Sequence, residues 1–171
     1  MRSHLHLAGM AVLAYRRPDG SIGWQRVLRN GVTIGGVNWL LESGFRFGTQ
    51  ATTIYAGLIA SAGFTAINNT TDTHASHPGW VEWTALASAT RPIWQPSPAN
   101  GGLMGTLAPA VFLINADGAI KGSFLTTIAN VGSTAAGVLY NTAVAQTELE
   151  VEAGGTLDVS FAVRLTIPVG G

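Results

Sequence analysis

The residues with the clearest capacity for chemistry are concentrated in the middle of the chain. They are His74 and His77, two of the four histidines, together with the acids Asp72 and Glu82. Zinc accepts histidine and carboxylate ligands, several of which must converge on the ion. No further ligand stands at a diagnostic spacing, and the pair lies in a Thr- and Ser-rich segment. We therefore predict no bound metal, and we expect these histidines to cap loop carbonyls or stack on Trp80.

Catalytic signatures are missing from the rest of the sequence. Serine and threonine are abundant, but no serine lies in the G-x-S-x-G elbow that would present it as a nucleophile. Glycoside hydrolysis requires two carboxyl groups that face one cleft, and Glu82 has no obvious second acid. We predict that the chain is not an enzyme and binds no cofactor.

Three of the five tryptophans, Trp80, Trp83 and Trp94, lie in the same stretch. Large aromatic side chains bury much apolar area and therefore anchor a core or an interface, although exposed rings could also stack on sugars. Successive side chains of a strand point to opposite faces, so Trp80 and Trp83 could not share one face without a bulge. We therefore favour a core and subunit-contact role over sugar binding. We also expect Glu82 and Arg91 to form a salt bridge.

The elements that would position these side chains are mostly strands. Pro-Asp-Gly separates residues 9–16 from 22–30, and Ala-Asp-Gly separates 110–115 from 119–127. Both sequences favour tight turns, so each pair is predicted to form a β-hairpin.

The clearest periodicity lies near the end of the chain, where six apolar residues alternate with polar or small ones over positions 157–167. This period of two predicts a half-buried central strand, and we expect residues 147–151 to be its partner.

One short helix is predicted over residues 33–44. Thr33 can cap its N-terminus, Gly44 can adopt the left-handed conformation after its last turn, and Val37, Leu40 and Leu41 would form its apolar face.

About eight predicted strands with turns between them, and no alternation of strands with helices, indicate an all-β fold. We predict an antiparallel β-sandwich, either jelly-roll or immunoglobulin-like, with one short helix. It would form a single domain over residues 1–171 with a short N-terminal arm of about residues 1–7, and residues 59–79 would form a long surface loop.

The chain carries few charges. Charged residues make up 11% of the sequence and the formal net charge is zero, whereas about 25% is usual. A monomer normally needs a charged surface to stay soluble, so we expect much of this surface to face other protein, in a homo-oligomer or a larger assembly. There is no basic stripe to neutralise phosphates and no apolar run long enough to span a bilayer, so we predict neither nucleic-acid nor membrane binding.

The chain resembles a family of small proteins of tailed bacteriophages. The resemblance covers nearly the whole chain, and its most specific parts are S-H-P-G-W-V-E at positions 76–82 and T-R-P-x-W at 90–94. Further blocks of similarity lie at residues 23–41, 54–59 and 120–127.

The resemblance implies a location in the virion and supplies no catalytic residues. We expect a capsid decoration or cement protein that associates with itself, as a trimer where it caps three-fold positions, and with the major capsid protein. The alternative is a tail or fibre component that binds a host glycan through exposed aromatics. The arm is expected to pack against a neighbouring subunit. The residues predicted for the interface are Trp80, Trp83, Trp94, Leu5 and Leu7.

Overall fold

The structure, a computed structural model, describes residues 6–166 and confirms the broad fold class. About half of the chain is in strands, and the antiparallel sheet is nearly closed into a barrel. The described part contains ten strands and one helix. They are β1 (His6–Arg16), β2 (Ile22–Val32), α1 (Ile34–Phe45), β3 (Ile54–Ala60), β4 (Ile93–Pro96), β5 (Leu103–Met104), β6 (Thr106–Ala108), β7 (Ala110–Leu113), β8 (Gly118–Thr126), β9 (Leu139–Val151) and β10 (Thr156–Thr166).

One hydrogen-bonded path runs through the sheet in the order β5-β10-β1-β2-β9-β8-β3-β4-β6, and β7 also pairs with β10. The side chain of Thr106 in β6 connects the far end of this path back to β10. Its Oγ1 accepts a hydrogen bond from the Phe161 amide at 2.7 Å and donates one to the Phe161 carbonyl at 2.9 Å. Hydrogen bonds from one side chain thus connect β6 to β10, which are not paired by a backbone ladder. The sheet is thereby nearly closed into a barrel.

The first predicted hairpin is confirmed. β1 and β2 pair antiparallel around a turn in which Gly20 has φ of 83°, a conformation that suits glycine. The Asp19 carboxylate accepts a hydrogen bond from the Ser21 amide at 2.8 Å. Tyr15 and Trp24 face each other across the strands as stacked rings, which fixes the register near the turn.

The second predicted hairpin is wrong. β7 pairs with β10, whereas β8 pairs with β9 on one side and β3 on the other. Asp117, which should have stabilised a local turn, instead accepts a hydrogen bond from the amide of Ala153, far along the chain. The Ala-Asp-Gly sequence therefore lies at a corner where the chain leaves one part of the sheet for another.

The predicted partner of the last strand is also wrong. Residues 147–151 form the end of the long strand β9, which pairs with β8 and β2. β10 instead pairs with β1 over its full length, from His6 opposite Thr166 to Arg16 opposite Thr156. This long ladder satisfies more backbone groups than the short local hairpin would, so the distant pairing prevails.

The alternation in β10 does produce a buried face. Leu157, Val159 and Phe161 are almost fully buried in the main core with residues from β1, β7, β8 and β9. Toward the end of the strand the pattern no longer predicts burial, since Leu165 is exposed. Ile167 lies outside the described residues.

The helix begins as predicted but ends differently. Thr33 Oγ1 caps it by accepting a hydrogen bond from the Gly36 amide at 3.0 Å. Gly36 also lets the helix approach β9, because a Cβ there would stand 2.3 Å from the Tyr140 carbonyl oxygen. Gly44 remains helical, and the residue with a left-handed backbone is Phe47, with φ of 55°.

Candidate functional site

Residues 72–94, the aromatic stretch that holds Trp80, Trp83 and Trp94, follow the edge of β3. Most of this stretch does not form a regular strand. Only an isolated bridge between Ile59 and Glu82 connects its first part to the sheet, before β4 begins at Ile93. Backbone amides of Ala60 and Trp83 donate to carbonyls across this edge. The predicted surface loop over 59–79 is only partly correct, because its first two residues belong to β3 and two of its polar side chains are buried.

The predicted salt bridge between Glu82 and Arg91 is confirmed. Arg91 donates from Nε and Nη2 to the two carboxylate oxygens of Glu82, each at 2.7 Å, and from Nη1 to the Ile128 carbonyl. The amide of Gly132 also donates to Glu82 at 2.6 Å. The two side chains are 1% and 7% exposed. Such a bidentate, buried pair fixes the loops on either side, because each charge would be costly without its partner.

A second group of polar contacts surrounds Trp80. Its Nε1 donates to the Asp72 carboxylate at 3.0 Å, and Asp72 also accepts from the amide of Asn68. His77 stacks on the Trp80 ring at 3.7 Å, and its Nδ1 lies 2.8 Å from the Trp80 carbonyl oxygen. The stacking and carbonyl-capping roles predicted for His77 are thereby confirmed.

His74 is buried between these two groups. Its Nδ1 lies 3.0 Å from Thr126 Oγ1, and its ring packs near Phe124. Burial, with a smaller contribution from the positive charge of Arg91, lowers the pKa of His74 to about 4. The imidazole is therefore neutral at neutral pH.

Most of these polar side chains are already paired, although Nε2 of His74 is buried without a hydrogen-bond partner. The acids and Arg91 are engaged by internal partners, and within residues 6–166 no three His, Asp or Glu side chains converge where they could hold a metal ion. What the arrangement does is join the 68–91 segment to β3 and β8. The histidines, acids and Arg91 of this stretch thus form an internal polar network that supports an irregular segment.

The tryptophans predicted for an interface lie largely within the chain itself. Trp80 is buried in a small cluster with Phe124, and Trp94 is buried in the main core with its Nε1 donating to Thr106 Oγ1. Trp83 is half-buried against the main core. Trp80 and Trp94 therefore have the predicted core role. Their buried rings are not accessible to a partner, which corrects their assignment to an interface.

The other two predicted interface residues lie at the N-terminus. Leu5 lies outside the described residues. Leu7 is not part of a free arm, since it belongs to β1 and stands opposite Leu165 of β10. The boundary predicted for the arm is therefore too long by at least two residues.

The exposed apolar surface lies elsewhere, and its main part is helix α1. Phe45 and Phe47 are 80% and 93% exposed, and Leu40 and Leu41 are about half exposed. The predicted apolar face of the helix is therefore wrong for Leu40 and Leu41, because Gly36 and Trp39 contact Tyr140 of β9 instead. This surface was not predicted, although the Phe-Arg-Phe sequence directly after a short helix could have indicated it.

Exposed apolar side chains also lie on the outer face of the sheet, where polar residues such as Arg29, Ser160 and Asp158 separate them. Val12 lies beside Val27 of β2, and Met10 lies beside Ala162 of β10. Val111 of β7 continues this face on the other side of β10. Val27 and Val111 are more than half exposed, and Met10 slightly less. Apolar side chains thus lie on both faces of this part of the sheet, although only the inner face is covered by the core.

No protein-family model matches the chain, and no curated protein is significantly similar to it. In the described part of the chain, no helix is long and apolar enough to cross a membrane.

Proposed function

We propose that the chain is a structural subunit of a bacteriophage virion. Its proposed role is that of a capsid decoration or cement protein, which stabilises the particle through contacts between subunits. The observation that carries this proposal is the exposure of fifteen large apolar side chains within residues 6–166 of a chain with so few charges. The phage assignment itself derives from the sequence resemblance, and the exposed surface supports the assembly role.

The distribution of groups supports assembly over catalysis. The polar side chains best suited to chemistry are buried and paired with one another, whereas the surface carries apolar groups on helix α1 and on the outer sheet face. Contiguous exposed apolar patches on soluble proteins commonly mark protein interaction sites. Accordingly we propose a protein partner, such as the major capsid protein or further copies of the chain, and no enzymatic activity.

The alternative of a tail component that stacks a host glycan on tryptophan is less well supported. Trp80 and Trp94, which would have formed the platform, are buried in the chain. Within residues 6–166 the most exposed large aromatic side chains are those of Phe45 and Phe47, which are not tryptophans. The finer fold assignment, a jelly-roll or immunoglobulin-like sandwich, stays a prediction, because a single continuous sheet path is compatible with either a flattened barrel or a sandwich.

Copy number per virion tests the proposed function. Quantitative mass spectrometry of purified particles should find hundreds of copies if the protein decorates the head. A few tens of copies or fewer would favour the tail alternative, and absence from particles would overturn the proposal.

Binding to particles that lack the protein provides a second test. Val27→Asp places a charge on the outer sheet face, and we expect weaker binding if this face contacts the capsid. Thr134→Asp, at an exposed loop position outside the strands of this face, adds the same charge and should bind normally. Equal binding of both variants would exclude this face from the contact.

A further inference from the structure

Two of the eight asparagines in the chain are followed by glycine, at Asn30-Gly31 and at Asn100-Gly101. Asparagine is a thermally labile residue, because the backbone nitrogen of the next residue can attack its side-chain carbonyl carbon. Glycine has no Cβ, so it obstructs this attack less than any other residue does. By sequence the two sites are equivalent, and their surroundings in the fold distinguish them.

Asn30 is protected by the sheet. It lies in β2 opposite Ala143 of β9, and both polar atoms of its side-chain amide are buried. A Cβ added at Gly9 of β1 would overlap this side chain, so the amide is held against the neighbouring strand. The side chain of Asn30 is therefore neither free to turn toward Gly31 nor open to the water that would hydrolyse a reaction intermediate.

Asn100 stands at a tight turn before β5, and it is exposed. Gly101 and Gly102 form the turn with φ of 57° and 77°. The amides of Asn100 and Leu103 donate to each other's carbonyl oxygens at 2.9 and 3.0 Å, whereas the Gly101 amide donates to no carbonyl oxygen within residues 6–166. The attacking nitrogen is thus unoccupied, and local opening of this short surface turn is enough to bring it to the Asn100 side chain.

We propose that Asn100 is a site of spontaneous deamidation in the folded chain, with water as the only co-reactant. The Gly101 nitrogen forms a bond to Cγ of Asn100 and loses its proton. The bond from Cγ to Nδ2 breaks, and Nδ2 leaves with that proton as ammonia. Water then opens the resulting cyclic succinimide at either carbonyl carbon. One opening leaves aspartate, and the other leaves isoaspartate, in which the main chain runs through the side-chain methylene group.

Both products change the place where this turn meets the end of β10. The Leu165 amide donates to the Gly102 carbonyl at 2.8 Å, and Leu103 pairs with Arg164. Either product adds an ionised carboxylate to a chain whose formal net charge is zero. Isoaspartate also lengthens the main chain by a methylene group, which the reciprocal bonds of the turn do not accommodate. We therefore expect the isoaspartate form to release the turn from β10. The reaction belongs to the chain itself and does not depend on the virion role.

Incubation of the purified, folded chain at mildly alkaline pH, followed by peptide mapping with mass spectrometry, tests the proposal. The peptide that holds Asn100 should gain the mass difference between an amide and a carboxyl group. We expect this reaction to be faster than that at Asn30 by roughly tenfold or more, because a strand opens far less often than a surface turn. In guanidinium chloride the two sites should react at similar rates, so Asn30 is the matched control. Absence of reaction at Asn100 in the folded chain, or equal reaction at Asn30, would overturn the proposal.

Hydrogen exchange tests the structural consequence. In the isoaspartate form the Leu165 amide should exchange faster than in the fresh chain, whereas the amide of Val159, in the buried part of β10, should not change. Asn100→Asp carries the new charge without the longer main chain, so its Leu165 amide should stay protected. Asn100→Gln removes the reactive side chain and should yield neither product at this position. Equal protection of Leu165 in the fresh and isoaspartate forms would overturn the predicted release of the turn.

Discussion

The aromatic stretch and helix α1 are both rich in apolar residues, yet they use these residues in opposite ways. Trp80 is surrounded by His77, Asp72 and Phe124 and is 2% exposed, whereas Phe45 and Phe47 project from the surface. The difference lies in the neighbours along the chain. Asp72 and Thr106 accept hydrogen bonds from the buried indoles of Trp80 and Trp94, whereas α1 has already used its other face to pack on β9. Aromatic density in a sequence thus indicates burial only where polar partners accompany it.

The largest expected effect comes from the buried polar support. Arg91→Met removes one partner of the ion pair and leaves the Glu82 carboxylate buried without it, so we expect a loss of about 3–5 kcal/mol in the free energy of unfolding. Arg46→Met breaks the exposed pair on α1 and should cost less than about 1 kcal/mol. Urea denaturation of both variants measures the contrast. Similar losses at the two positions would mean that solvent reaches Glu82.

The next effect is a pH dependence that only the buried region should have. The folded pKa of His74, about 4, lies below the ordinary value of 6.5, so the unfolded chain binds its proton more readily. Stability from this group is full above about pH 6.5 and is lost as the pH falls toward 4. We expect a loss on the order of 2 kcal/mol, reduced from the full shift by solvent screening.

Comparison of the wild-type chain with His74→Gln isolates this term, because the other titrating groups are common to both. Urea denaturation at several pH values should give a shallower pH dependence for the variant over this range. Thr52→Gln, at an exposed position, is the control and should follow the wild type. Parallel curves for all three proteins would exclude His74 as the source.

A smaller effect distinguishes the contribution of the Trp80 ring to stability from that of its Nε1 hydrogen bond. Trp80→Phe keeps much of the ring but removes the donor to Asp72, and an unsatisfied buried acceptor costs about 1–3 kcal/mol. Phe45→Ala, which removes an exposed ring, should change the stability of the monomer by no more than about 0.5 kcal/mol. Thermal unfolding at low protein concentration measures both, and a larger cost for Phe45→Ala would mean that this ring is buried in the free chain.

The smallest expected effect is a gain. Phe47→Gly relieves the left-handed backbone, and although glycine loses more entropy on folding, we expect the monomer to gain up to about 1 kcal/mol. Calorimetry of the monomer measures this gain. Loss of monomer stability would show that the Phe47 side chain supports its own turn.

Several features followed from the sequence because they depend on neighbouring residues. Pro-Asp-Gly specified the first turn, Thr33 specified the start of α1, and the period of two in β10 specified its buried face. The contacts of Glu82 with Arg91 and of His77 with Trp80 join residues at most nine positions apart, within one loop. A short segment can adopt few alternative conformations, so the local propensity of its residues determines which one forms.

Only the tertiary structure decided which strands pair and which surfaces remain exposed. The turn sequences before β8 and β10 predicted local hairpins, but β10 found a longer ladder with β1, and β8 found partners on both sides. The face of α1 that packs inward was likewise decided by close approach of Gly36 to β9, not by the positions of Leu40 and Leu41. Pairing and burial depend on competition among segments distant in the chain, whose outcome is set by the total backbone pairing and apolar burial of the whole sheet. A local sequence pattern does not show which of these distant segments will pair, because it carries no information about their competing partners.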